Sequence, residues 1–292
     1  FTAEALRGAR FRVQTWNPSE APRPAITPGS RRVWLVVPPL ERPSLEPGSA
    51  EVALLDAARR LLQEGQPVMV LAPPSVAAAM GMADPWSDLL STFGITARTQ
   101  SMVVQLAASS EAGRALRRGL DRVEPGSGPM GGLAWDAALW PSPVPLQIDS
   151  IQGVRSEVVA QVPPDPSVWV EDDPRVISRG VMEVPAGKGM HAERQVPLLA
   201  VAERGDQRVA LAGGAAWLLS STAAAADARG RLTHPANRDL LVGTVRWLAG
   251  EPSDAFAAGP RRDGRGAFAV AWLPPLSLIG LRIGVLRWRR RT

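Results

Sequence analysis

Glu171, Asp172 and Asp173 stand in a row directly after the apolar run Val168-Trp169-Val170. Carboxylates at the end of a strand can hold a metal ion or a ligand. An imidazole base would have to be His191 or His234, since the chain has only two histidines. Asp172, Asp173 and His191 together would equip a hydrolase or amidotransferase-like enzyme if their side chains converged in one cleft. Each also reads as a solvated loop residue: His191 lies in a glycine-flanked polar stretch and His234 precedes Pro235. The chain has no cysteine, which removes thiolate nucleophiles, disulfides and Cys-ligated metals. No Gly-x-Ser-x-Gly elbow occurs. Gly187-Lys188 fails the phosphate-loop test, because Met182 takes the upstream glycine position and Gly189 takes that of the Ser or Thr. Gly213-Gly214 follows a strand pattern but lacks the spaced glycines of a dinucleotide fingerprint, and reads as a tight turn. No catalytic residue, cofactor or metal is assigned on these grounds.

Charge narrows the partners. Of the net charge of +5, all is accounted for by Arg282, Arg287, Arg289, Arg290 and Arg291, leaving residues 1–281 at net zero. A neutral body with a basic tip lacks the distributed phosphate-neutralising surface of a nucleic-acid binder. The ten tryptophans are spread along the whole chain, so they form no stacking platform by sequence. Hydrophobic residues at 45% and charged residues at 21% describe a globular chain.

The elements that would position these residues follow from periodicity. Helical pattern covers 3–9, and alternation suggests a short strand at 11–14. Apolar runs at 33–37 and 67–71, each stopped by a Pro-Pro pair, read as strands buried on both faces. Between them Val52, Leu55, Ala58, Leu61 and Leu62 form one helical stripe, with Ser49 as its cap and Gly65 as its stop. This strand–helix–strand unit predicts a parallel crossover. A short helix at 86–93 and strands at 101–106, within 148–162 and at 168–170 follow. Strands at 197–201 and 208–212 flank a Gly205-Asp206 turn. A last helix is capped by Asn237 and carries Leu240, Leu241, Thr244, Val245 and Leu248 on one face. The expected fold is therefore layered α/β with a mostly parallel sheet. Residues 107–150 read as an insertion or lobe boundary.

Residues 266–281 contain no charge, and 267–286 is long enough to cross a bilayer as a helix with Arg282 near one end. Trp272 and Trp288 would lie near the two interfaces, and Arg289, Arg290 and Arg291 close the segment. The stronger basic cluster is C-terminal, which directs residues 287–292 to the cytoplasm and the body to the other side. The expected organisation is an extracytoplasmic domain at 1–258, a linker at 259–266, a transmembrane helix at 267–286 and a basic cytoplasmic tail at 287–292.

Several stretches in order resemble the gliding-motility-type auxiliary subunit of ABC transporters. Arg208-Val209-Ala210-Leu211-Ala212-Gly213 is similar to that family's late strand. Asn237-Arg238-Asp239-Leu240, then Trp247-Leu248-Ala249-Gly250, resemble its last helix. The Pro-containing apolar segment with terminal arginines stands where the family has its last span. Residues 86–95 (WSDLLSTFGI) and 49–71 are similar to earlier elements. The likeness covers 9–106 and 165–290. The chain departs from the family where Gly213-Gly214-Ala215-Ala216-Trp217 replaces a Gly-Asp-Ser with a further acid, and where Glu64-Gly65-Gln66 replaces a Gly-Gly. The family's N-terminal membrane segment is expected to lie before Phe1. The resemblance implies a flavodoxin-like or class I glutamine-amidotransferase-like domain without the catalytic cysteine. It implies residence in the bacterial cytoplasmic membrane, and an ABC permease and its ATPase as partners. On this reading the protein is a non-enzymatic accessory component of an export or motility system. The alternatives are the enzyme built on Asp172, Asp173 and His191, and a membrane-tethered carbohydrate-binding module. The module would require exposed tryptophans along a groove, whereas Trp34 and Trp247 are expected to be buried.

Overall fold

The computed structural model describes residues 1–25, 31–39, 42, 45–106, 116–117, 119–120, 123–126, 138–173, 195–219 and 235–251. The chain divides into two compact units, Phe1–Ala257 and Ala258–Thr292, and every described residue belongs to the first.

The helices are α1 (Thr2–Gly8), α2 (Ser49–Gln63), α3 (Val76–Ala79) and α4 (Pro235–Leu248). The strands begin with β1 (Trp34–Val36), β2 (Val68–Ala72), β3 (Ile95–Ala97) and β4 (Met102–Leu106). Short strands follow at β5 (Leu116–Arg117), β6 (Gly119–Leu120), β7 (Glu124–Pro125), β8 (Trp140–Pro141) and β9 (Leu146–Ile148). The last are β10 (Arg155–Val162), β11 (Val168–Glu171), β12 (Val196–Arg204) and β13 (Gln207–Gly213).

The main sheet has six strands in the order β1-β2-β13-β12-β10-β7. Only the pairings β1–β2 and β2–β13 are parallel; β13–β12, β12–β10 and β10–β7 are antiparallel. This corrects the expected mostly parallel, layered α/β fold: the molecule is mostly β with few helices. The crossover through α2 does join two parallel strands. The remaining order is set by the β12–β13 hairpin, whose two-residue Gly205-Asp206 turn forces antiparallel pairing and has Gly205 at φ 56° in the positive-φ first position.

The expectation of parallel strands rested on continuous apolar runs, and those runs have another cause. Met69, Leu71, Leu199, Val201, Ala210 and Ala212 face one core, with α1 and α4 packed over them. Val68, Val70, Ala200, Ala202, Val209 and Leu211 face a second core with α2, Trp86, Leu90 and Phe93. A sheet buried on both faces needs apolar residues at every position, whichever way its strands run.

Three smaller sheets pair β11–β4–β5, β3–β9 and β6–β8. The described strands of 107–150 contribute to all four sheets. Residues 11–14 form no strand, and 86–93 is a series of turns ending in a 3-10 turn at Ser91–Phe93 rather than a helix. Among the described residues no helix is long and apolar enough to cross a membrane. The 267–286 segment, with Trp272, Arg282, Trp288, Arg289, Arg290 and Arg291, lies outside the described residues.

Candidate functional site

The loops after β1 and β2 and the first turn of α2 meet at one end of the two parallel strands. There Arg42 forms a bidentate pair with Asp84, one bond being 2.9 Å, and approaches Glu51 Oε1 at 3.4 Å. The Trp86 indole N–H donates to the same Glu51 oxygen (2.8 Å), and the Trp86 backbone N–H donates to Asp84 (3.2 Å). The Arg42, Glu51 and Asp84 side chains are 6%, 12% and 4% exposed. Buried charges persist only when paired and hydrogen-bonded, and this cluster pins two loops to the start of α2. Sequence reasoning missed it. Glu51 reads as a helix-start acid, and nothing in the spacing links it to Arg42 or Asp84.

Large hydrophobic side chains are exposed in the segments that carry this cluster. Val37, Leu45, Val52, Met80 and Met82 are all exposed, and each lies within five residues of Arg42, Glu51 or Asp84 in the chain. Apart from Leu219, they are the large exposed hydrophobics of the described residues. Exposed hydrophobics of this size are candidates for an interaction surface, and the two methionines suit an adaptable one.

A second feature lies along the side of α2. A groove of about 430 Å³ runs between that helix and the loop 16–23. Ala53, Ala57 and Leu61 line its floor at i, i+4 and i+8, and Trp16, Pro18 and Pro22 face them. Asp56, Arg60, Glu64 and Arg23 form its charged rim. The loop is held by its own bonds: the Trp16 indole N–H donates to the Ala21 carbonyl (2.8 Å), and Asn17 Oδ1 accepts from Ser19 N–H (3.2 Å). It is docked through Trp34, whose ring meets Trp16 edge-on at 5.5 Å and carries the Arg23 and Arg32 guanidinium groups at 5.1 and 5.2 Å. Trp34 is thus half-buried in a platform rather than in the core.

The three acids at the end of β11 have different surroundings. Glu171 is buried, and its carboxylate accepts from the Trp169 indole N–H and from the backbone N–H groups of Asp172 and Asp173, all at 3.1 Å. Asp172 is exposed and pairs with Arg98 at 3.4 Å. His191 lies outside the described residues, so its convergence with Asp172 and Asp173 is not seen. Among the described residues no group of three His, Asp or Glu is placed to hold a metal ion.

The residues that carried the family resemblance pack. Asn237 does not cap α4. Proline at 235 opens the helix, as suits its first position, and Asn237 sits fully buried inside. Its Nδ2 donates to the carbonyls of Leu139 (2.7 Å) and Trp217 (3.0 Å), and its Oδ1 accepts from Leu139 N–H (3.0 Å). Leu240, Trp247 and Leu248 are core residues, and Arg208 lies over the Trp247 ring at 4.9 Å while donating to its carbonyl (2.8 Å). Gly250 ends the helix at φ 82°. Arg238 is half-buried and Asp239 exposed; enough protein surrounds the Asp239 carboxyl that desolvation raises its pKa above the usual 3.8, against the lowering influence of Arg238.

Gly213 and Gly214 are required by close approach. A Cβ on Gly213 would stand 1.8 Å from the Val144 carbonyl oxygen, and Gly214 has φ 104°. The Gly213 carbonyl accepts from the indole N–H of Trp140 (2.7 Å), whose ring stacks on Trp217 at 4.6 Å. No family model, curated protein or solved structure matches the chain.

Proposed function

We propose that the protein is a non-enzymatic, membrane-anchored accessory component of an ABC export or gliding-motility-type system. In this reading residues 1–258 lie outside the bacterial cytoplasmic membrane, the apolar 267–286 stretch anchors them, and the arginine tail faces the cytoplasm. The observation that carries the reading is the exposure of Val37, Leu45, Val52, Met80 and Met82 on the segments that hold the buried Arg42–Glu51–Asp84 cluster. Such a surface supports docking on a protein partner, and the permease is the partner that the family resemblance supplies. The uncharged 266–281 run supports the anchor.

Two experiments test it. The full chain should sediment with membranes after an alkaline wash, and a chain ending at 258 should not. A photo-crosslinking residue at Met80 should capture the permease in cells, whereas one at the exposed Asp206 in the β12–β13 turn should not. A full chain found in the soluble fraction refutes the anchor, and no permease adduct at Met80 refutes the partner.

A further inference from the structure

We infer that the groove between α2 and the loop 16–23 binds a small amphipathic monoanion, an aromatic or aliphatic carboxylate being the chemistry it fits. The inference goes beyond the docking role proposed above, concerns a different surface, and is tested without the membrane partners. Its size, about 430 Å³, is that of a small-molecule site, and its lining combines an apolar floor with a few charged groups. Trp16, Pro18, Pro22 and Ala53 offer apolar surface to the body of a ligand, over the buried Ala57 and Leu61.

The charges decide the class. Of the two cations on the rim, Arg23 is ion-paired with Glu64 and lies over Trp34, so it is already committed. Of the two acids, Glu64 has that partner and Asp56 pairs with Arg59 at 3.5 Å. Arg60 is exposed and has no ion pair among the described residues. It sits one turn from both Asp56 and Glu64, above Ala57 and Leu61. The groove thus presents an apolar floor with a single uncommitted guanidinium, which complements one carboxylate on an apolar body. A neutral sugar would instead need several free polar side chains to bond its hydroxyls, and three of these four are engaged. The carbohydrate-binding alternative therefore has one half-exposed groove tryptophan, Trp16, and little else.

The test uses the full chain labelled with 5-fluorotryptophan, with 3-phenylpropionate as probe and the Trp16 fluorine resonance, assigned through Trp16→Phe, as readout. The Trp16 resonance should shift saturably with the carboxylate. Affinity should fall about tenfold or more for the uncharged 3-phenylpropanol and for Arg60→Gln, the loss expected of one charge-assisted hydrogen bond. Ala53→Leu, which narrows the floor at a half-buried position, should weaken binding without changing the thermal midpoint. Equal binding of the alcohol, or unchanged affinity in Arg60→Gln, overturns the anion assignment. A shift by maltose and none by the carboxylate would overturn it in favour of a sugar. No shift by any probe overturns the groove as a ligand site and leaves the Met80 crosslinking result untouched.

Discussion

Asn237→Ala separates a packing residue from a partner-binding one. In the folded protein the Asn237 side chain is fully buried and makes three hydrogen bonds, two with the backbone of Leu139 and one with the carbonyl of Trp217. Truncation leaves the Leu139 N–H and two carbonyls without these partners and opens a small cavity. A buried group left unsatisfied costs about 1–3 kcal/mol, and three neighbours sharing one side chain do not add fully. We expect a loss of about 3 kcal/mol, hence a thermal midpoint lower by about 6–12 °C in a domain of this size. Urea unfolding followed by far-UV circular dichroism should show a lower midpoint with an unchanged slope. Asn237→Asp keeps the acceptor for Leu139 N–H but turns a second carboxylate oxygen toward the two carbonyls, and should lose at least as much at neutral pH. Crosslinking at Met80 per folded molecule should be unaffected. If Asn237→Ala leaves the urea midpoint in place but abolishes the permease adduct, the packing role assigned to this residue is wrong.

Gly213→Ala drives a methyl group into the Val144 carbonyl at the end of β13, and should cost about 3 kcal/mol or prevent soluble expression, read as the urea midpoint or the soluble yield. Arg42→Met strands Glu51 and Asp84 without their cation and should cost about 3–5 kcal/mol by urea unfolding; adding Asp84→Leu should recover part of that loss. Asp239→Asn should change stability by no more than about 0.5 kcal/mol. Because the folded-state pKa of Asp239 is raised, its ionisation opposes folding as pH rises above the usual carboxylate range. Any gain from the asparagine should therefore appear at neutral pH and vanish at acid pH, in midpoints measured across that span.

Local elements were legible where one physical signal dominated. The α2 stripe of Leu55, Ala58 and Leu61 and the Gly205-Asp206 turn gave a helix and a hairpin where expected. Strand direction was not legible. Apolar runs report burial of both faces, and β12 and β13 are buried on both faces while antiparallel to each other. Long-range pairing was also hidden: β4 pairs with β11, some 65 residues on in the chain, with no turn or spacing to announce it. The 86–93 stretch has a helical apolar pattern, yet Trp86 directs its indole N–H to Glu51 and its backbone N–H to Asp84 Oδ1. Those two bonds hold its start in turns. Asn237 looked like a cap because asparagine before an apolar periodic run is the usual sign of one. The proline at 235 had already begun the helix.

Both candidate surfaces depend on α2, and this ties their chemistry to its sequence. Leu55, Ala58 and Leu61 fix the helix to the sheet, which leaves its other flanks to be used. At its start Glu51 anchors the Arg42 cluster, and Val52 is exposed beside it in the chain. Further along, Ala53 and Ala57 keep the helix surface low enough for the loop 16–23 to leave a groove, while Asp56, Arg60 and Glu64 rim it. A larger residue at 53 would have filled that space at little cost to helix propensity, since leucine is nearly as good a helix former as alanine. Ala57 is buried and Ala53 half-buried, so position 53 is the one at which a larger side chain would narrow the groove. The same reasoning distinguishes Arg60 from Arg59: one turns to the groove and stays uncommitted, the other turns to Asp56 and neutralises it.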